Sequence, residues 1–266
     1  VVKAAKATNP DSLKEIDALV ADLEAKTRAE REAQLASQSL FGGWSGQGQI
    51  GGFLSSGNSD DAGLALGLGF AKETPAWRHG FKASADYQRS NGAVSKERYF
   101  AGYTGQRRLG GRAFLALALS GERDRFAGYH SRFAESAGLG YRLVDRPRLR
   151  VDLEGGPALR QTDYISQPDK SEITGHLLGN VQWSVTSETK FTQNAQAYLA
   201  SGNSTFSATS ALTTKLDATL SARASVDLRH ETNPAEGRDA TDTTSRLTAV
   251  YSLRTPRNGP DPGTTA

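Results

Sequence analysis

The sequence predicts an all-β chain: a transmembrane, up-and-down antiparallel β-barrel of about twelve strands, preceded by one amphipathic α-helix. Three observations carry this. Hydrophobic spacing is helical near the amino terminus and changes to strict alternation from Phe41 onward. About twelve alternating segments then follow, each near the length that crosses a bilayer at a tilt. Aromatic residues gather at segment ends instead of segment centres, where an amphipathic ring sits best at headgroup level.

Composition sets the limits. The chain has 266 residues with 28 Gly and 9 Pro, enough for one large all-β domain and an accessory segment. Only 37% of residues are hydrophobic and no apolar run is long enough for a transmembrane helix. A membrane barrel tolerates this, because it shows lipid only every second residue of each strand. With no Cys there is neither a disulfide scaffold nor a thiolate metal site. No two of the four His stand at metal-ligand spacing, so neither metal nor cofactor is expected. The net charge is only +3 and the basic residues are scattered, which argues against nucleic acid as a partner. No initiator Met and no basic-then-apolar leader open the chain, as expected of a processed, exported protein.

The division follows the change of period: residues 1–40 as helix and linker, 41–254 as barrel, 255–266 as a polar tail. Asn9, Pro10 and Asp11 supply helix-start chemistry. Leu13, Ile16, Val20 and Leu23 then form a narrow apolar stripe that weakens at Thr27, with Glu24 and Arg28 at a favourable i,i+4 spacing. A spacer helix packed on a neighbour and a short self-associating coiled coil both fit this stripe. After the Gly-rich hinge GGWSGQGQIGG, the strands are expected at 47–56, 62–72, 76–88, 96–108, 112–123, 131–143, 148–161, 172–186, 189–200, 205–216, 219–230 and 243–253.

Alternation can be read residue by residue. Leu64, Leu66, Leu68 and Phe70 oppose Ala65, Gly67, Gly69 and Ala71; Leu149, Val151 and Leu153 oppose Arg150, Asp152 and Glu154. His79, Glu135 and Gln193 are the exceptions that fall on the apolar face. His79 fits a position near the inner rim, and Glu135 an outer-rim position or a bulge that shifts the phase. Even-numbered connections (KETPA, LGG, VDRPR, TSET, LDAT) are brief, and odd-numbered ones such as RDRFAGYHSR and TDYISQPDKSE are longer. Outer-membrane barrels show this asymmetry, with the short turns periplasmic. SGN occurs at 56–58 and again at 201–203, both in odd connections, and both copies are expected to be tight hairpins with positive-φ positions.

Phe70, Trp77, Tyr141, Trp183, Phe191 and Tyr251 would form the inner aromatic ring, and Tyr87, Tyr99, Phe133 and Phe206 the outer one. The opposite face would line a lumen. It receives Arg78, Lys82, Arg98, Arg108, Arg132, Arg142, Arg150, Lys190, Lys215, Arg223, Arg229 and Arg246, against Asp86, Glu122, Asp152, Glu154 and Asp227. Two readings fit: a salt-bridged plug in a non-conducting envelope protein, or a small-solute diffusion pore whose basic excess gives a mild anion preference. Catalysis is not expected. His176, Asn180 and Ser184 share one face, but four-residue steps separate them by about 13 Å. His230 with Asp227 lacks supporting groups.

The GQIGGFLS–SGNSDD opening with Gly52, Ser56, Gly57, Asn58 and Ser59, the repeated hairpin and the closing RLTAVYSL resemble the YdiY-like family, known by domain of unknown function 481 and described as salt-induced outer-membrane proteins. The resemblance covers about residues 46–253. It implies a Gram-negative outer-membrane barrel with no assigned reaction and the helix in the periplasm. Membrane lipid and lipopolysaccharide would be its surroundings, and the helix would offer self-association or a periplasmic partner. The polar tail after Leu253 and Arg254 departs from the usual aromatic end; if the tail is native, assembly must tolerate an internal signal.

Overall fold

The structure, a computed structural model, describes residues 8, 12–36, 42–56, 61–90, 93–234 and 237–254. Among these residues it shows the helix α1 (Leu13–Ala36) and twelve strands in one sheet. In order these are β1 (Trp44–Ser56), β2 (Asp61–Glu73), β3 (Trp77–Ser90), β4 (Ala93–Gly110), β5 (Ala113–Asp124) and β6 (Tyr129–Asp145). They continue with β7 (Leu149–Tyr164), β8 (Lys170–Ser184), β9 (Thr189–Leu199), β10 (Thr205–Lys215), β11 (Leu220–Glu231) and β12 (Thr241–Arg254). Sequence neighbours pair antiparallel, and β1 pairs with β12 to close the barrel. The seam runs from Ser45 opposite Arg254 to Ser56 opposite Thr243. Closure leaves no sheet edge, so each strand's backbone donors and acceptors find partners without water.

Each predicted strand is present, and the largest differences lie at the strand ends. β4, β6 and β7 run 18, 17 and 16 residues. A tilted strand crosses a bilayer in about 9–11 residues, so these strands project beyond it. Much of what reads as long odd connections is therefore strand. The β5–β6 link shrinks to residues 125–128, held by Asp124 Oδ1, which accepts from Phe126 N (3.1 Å) and Ala127 N (3.0 Å). The even turns are closed locally. Gly110 and Gly111 take φ of 123° and 56° between β4 and β5, a conformation that suits glycine. Asp217 Oδ1 accepts from Leu220 N at 2.8 Å between β10 and β11, and Thr186 Oγ1 accepts from Thr189 N at 2.9 Å between β8 and β9.

The outward face is apolar and exposed: Ile173 is 81% accessible, Leu247 68% and Leu64 67%. A water-soluble surface rarely carries such a band, but hydrocarbon requires one. Two exceptions to the apolar pattern are satisfied locally. His79 shares a 2.8 Å hydrogen bond with the Tyr103 hydroxyl and stacks on Trp77, at the start of β3 beside the turn end. Gln193 accepts a 2.5 Å bond from Ser210 Oγ, directly across the β9–β10 ladder. For Glu135 the bulge alternative does not hold. The residue lies opposite Leu119 and Leu159 in regular register, and the bulges in β6 fall elsewhere, at Tyr129/Ser131 and Arg142/Val144. It stays on the outward face one step below Phe133, and among the described residues no cation reaches it.

Helix and barrel are separate units. In α1, Thr27 Oγ1 bonds back to Leu23 O at 2.8 Å where the apolar stripe ends, and Lys26 pairs with Asp22 at 2.9 Å. Leu13 and Leu23 are exposed. The expected cap at Asn9–Asp11, the Glu24–Arg28 side-chain pair, the first SGN copy at Gly57 and Asn58, and the 255–266 tail lie outside the described residues.

Two predictions follow from this architecture. Deleting residues 1–40 leaves a barrel that still shows heat-modifiable migration on a gel; loss of that shift would show that the barrel needs the helix. Ser210→Ala alone leaves Gln193 Oε1 without its donor in hydrocarbon, although Nε2 keeps Asn194 O, and costs about 1–3 kcal/mol, whereas Ser210→Ala with Gln193→Leu is near neutral. Denaturant unfolding in lipid vesicles reads both.

Candidate functional site in the barrel lumen

Inward side chains follow the alternation. On β3 they are Arg78, Lys82, Asp86 and Gln88; on β7, Arg150, Asp152, Glu154 and Arg160; on β11, Arg223, Asp227, Arg229 and Glu231. The lumen divides into two tiers, one toward the odd connections (the loop end) and one toward the even turns (the turn end).

The loop-end tier is a packed ion network. Arg98 Nε meets Glu122 at 2.5 Å, and Glu122 also accepts from Arg229 Nη1 at 3.0 Å. Arg229 Nη2 bonds Glu231 at 2.9 Å, and Glu231 takes Arg132 Nη1 at 2.9 Å. Five charges thus alternate in sign along one chain of contacts. The fully buried Tyr129 ring lies beneath two of the cations, 4.2 Å from Arg132 and 5.7 Å from Arg229. β5 and β11 are six places apart round the ring of twelve, so the Glu122–Arg229 contact joins opposite walls. Arg132 to Glu231 crosses five places. A second bridge runs through Arg246, which holds Asp86 at 2.5 Å and also pairs with Asp227.

The second SGN copy belongs to this network. Asn203 Nδ2 donates to Glu231 at 2.8 Å, its Oδ1 accepts from Asn233 N at 3.1 Å, and its backbone carbonyl accepts from Arg160 at 2.6 Å. Arg160, only 1% accessible, also bonds Thr205 and Glu172. The expected positive-φ hairpin is corrected here. Gly202 is not among the positive-φ glycines, and residues 200–204 form a five-residue loop. Ser204 Oγ closes it by accepting from Ala200 N and donating to Ala200 O. Side-chain bonds supply what backbone geometry was expected to supply.

The turn-end tier is basic and reachable by water. Arg108, Lys190 and Lys215 are exposed on the inward face, and Arg78 lies on that face near the start of β3. Arg142 and Arg150 share Asp152, at 3.1 and 2.8 Å. Glu154 accepts from Gln106, three strands away. The basic excess is therefore not spread along the lumen; it lies on the turn side of a nearly balanced network.

Among the aromatics, Phe70, Trp77, Tyr141, Trp183, Phe191 and Tyr251 lie outward toward the turn end, and Tyr87, Tyr99, Phe133 and Phe206 outward toward the loop end. Trp44, unread in the sequence, joins the first group and packs on Phe81 at 5.7 Å. The catalytic candidates are not assembled. His176 stacks on Tyr198 at 4.5 Å and Asn180 bonds Asn194 at 2.8 Å. His230 points outward to Thr241, whereas Asp227 points inward to Arg246. Sequence reasoning missed Arg160, Asp124, Tyr129, Asn203, Glu172 and Glu231. Arg160 shares the parity of Arg150, a signal that was available. Asp124, Tyr129 and Glu231 fall just outside the expected strand bounds.

Residues 48–253 match the family profile described as "Protein of unknown function, DUF481". The chain belongs to this family. A relative, the uncharacterized protein YdiY of Escherichia coli (strain K12), is 26% identical over 181 residues, covering 68% of this chain and 71% of that protein. Among solved structures, the NanC porin superposes with a TM-score of 0.54 at 10% identity, covering 78% of this chain and 100% of that one. The COG4313 outer membrane channel from Pseudomonas putida F1 gives 0.52 at 9% identity, covering 81% and 97%. At such identities the likeness concerns the fold alone: this family member has the architecture of outer-membrane β-barrels.

Glu122 is the joint of the loop-end network. Glu122→Ala leaves Arg98 and Arg229 without their shared carboxylate and costs about 3 kcal/mol, because stripping one partner from an enclosed ion pair strands the other charge. Guanidinium unfolding of the micelle-folded barrel, followed by Trp fluorescence, checks this. A midpoint equal to that of the parent would remove Glu122 from any structural role.

Proposed function

We propose that this chain is a Gram-negative outer-membrane barrel whose lumen is plugged near the loop end, so that in this state it acts as a non-conducting envelope protein. The turn end and the helix face the periplasm, and the loop end faces outward, amid lipid and lipopolysaccharide. One observation carries the reading: the Glu122–Arg229 and Arg132–Glu231 pairs join opposite walls, over a fully buried Tyr129. Enclosed pairs resist screening by salt far better than exposed ones, so the plug would persist in an osmotically variable exterior. No chemistry is assigned to the lumen, whose His176 is stacked on Tyr198.

A second reading is a small-solute pore with a mild anion preference. The water-accessible Arg108, Lys190 and Lys215 favour it, since basic walls at close quarters favour anions. Planar bilayer recording separates the two. The plug reading expects little steady conductance from the refolded parent, and an anion-selective rise in Glu122→Ser/Arg229→Ser, a variant that removes one of the two crossing pairs without changing net charge. A parent that conducts as well as this variant would retire the plug and leave the pore. Cation selectivity would retire the pore's anion preference.

A further inference from the structure

Arg246 pairs with both Asp86 on β3 and Asp227 on β11. Four residues toward the turn end on the same two strands stand Lys82 and Arg223, both facing the lumen. There the pattern of alternating charge breaks. Among the described residues neither cation makes an ion pair or a side-chain hydrogen bond, and the like charge that acts on Lys82 is Arg223 itself. Asp227, the acid on Arg223's own strand, is already held by Arg246 and by Thr209 at 2.6 Å. Lys82 is exposed to the lumen and Asp227 acts on Arg223 from a distance, but neither cation has a counter-ion in contact, and an anion between them would supply one.

The wall between the two cations leaves room for one. Going round the ring from β11 to β3, the strands are β12, β1 and β2. Gln47 lies opposite Gly69 and Gln49 opposite Gly67. At Gly67 a Cβ would collide with the Gln49 side chain; at Gly69 it would crowd Gln47 at 3.3 Å. The missing side chains are thus what lets both amides lie flat along the wall. Lys82, Arg223, Gln47, Gln49 and Thr248 line one cavity of about 330 Å³; its wall also carries four Asp and four other cations, which leaves Lys82 and Arg223 as the cationic excess. That volume is the lower end of the size range of small-molecule sites.

We infer that this cavity is a binding site for a small oxyanion, a solute bearing one carboxylate or phosphate group, held between Lys82 and Arg223. The ammonium and the guanidinium meet the anionic oxygens, and the Gln47 and Gln49 amides donate to its remaining acceptors. The site goes beyond the plug reading and does not depend on it: a conducting parent protein would overturn the plug and leave this site standing.

The test is titration calorimetry of the full-length, detergent-folded chain with inorganic phosphate and, separately, pyruvate, in a low-chloride buffer. One site per chain is expected for at least one of the two, and the preferred probe names the oxyanion. Lys82→Gln/Arg223→Gln should weaken that binding at least tenfold. Lys190→Gln, which removes a lumen cation outside the cavity, should change it less than twofold. Lys82→Glu supplies an internal partner for Arg223; it should abolish binding and raise the unfolding temperature of the ligand-free protein. Heat-modifiable migration of each variant verifies folding. Absence of binding of either probe to the parent, undiminished affinity in the double variant, or an equal loss in Lys190→Gln would each overturn the assignment.

Discussion

Hydrocarbon offers no hydrogen bonds, and that constraint organises the whole barrel. Each strand must have a neighbour on both sides, so the last must find the first. The β1–β12 seam meets this need with a continuous ladder from Ser45–Arg254 to Ser56–Thr243. Once the ring is closed, alternation has only two destinations. Odd and even side chains separate into an outward apolar band and an enclosed polar interior, and a one-residue slip would exchange them. Two polar side chains on the outward face carry a partner with them. Gln193 brings Ser210, and His79 brings Tyr103.

The enclosed interior then poses an electrostatic problem. Charged side chains gathered inside a narrow barrel are poorly hydrated, and they are stable only when paired. Toward the loop end the solution is mutual: cation and anion alternate from Arg98 through Arg132, and the contacts reach from wall to wall. Toward the turn end water takes over much of this task, and cations outnumber acids. Between these regimes stand Lys82, exposed to the lumen, and Arg223, neither of them in contact with an acid among the described residues.

The repeated SGN tripeptide shows how local and distant chemistry differ. Read locally, Ser, Gly and Asn mean a hairpin, and a connection does lie there. Its second copy nevertheless does more than reverse the chain. Asn203 ties the loop to Glu231 and, through its carbonyl, to Arg160, so the connection helps cap the lumen. Turn propensity foretells a reversal but not the distant residues its side chains will meet.

Periodicity alone determined the helix, the twelve strands, the faces of nearly every residue and the aromatic ends, because those depend on repeats of two or 3.6 within a single segment. Strand bounds were less legible. β5 and β11 run one residue further than their alternation suggested and β6 begins two earlier, which is why Asp124, Glu231 and Tyr129 escaped notice. Which charges pair was decided only by the tertiary structure. Glu122 and Arg229 are 107 residues apart and belong to strands that never share a ladder. Only closure of the ring sets them face to face, and no spacing along the chain encodes the width of the space they cross.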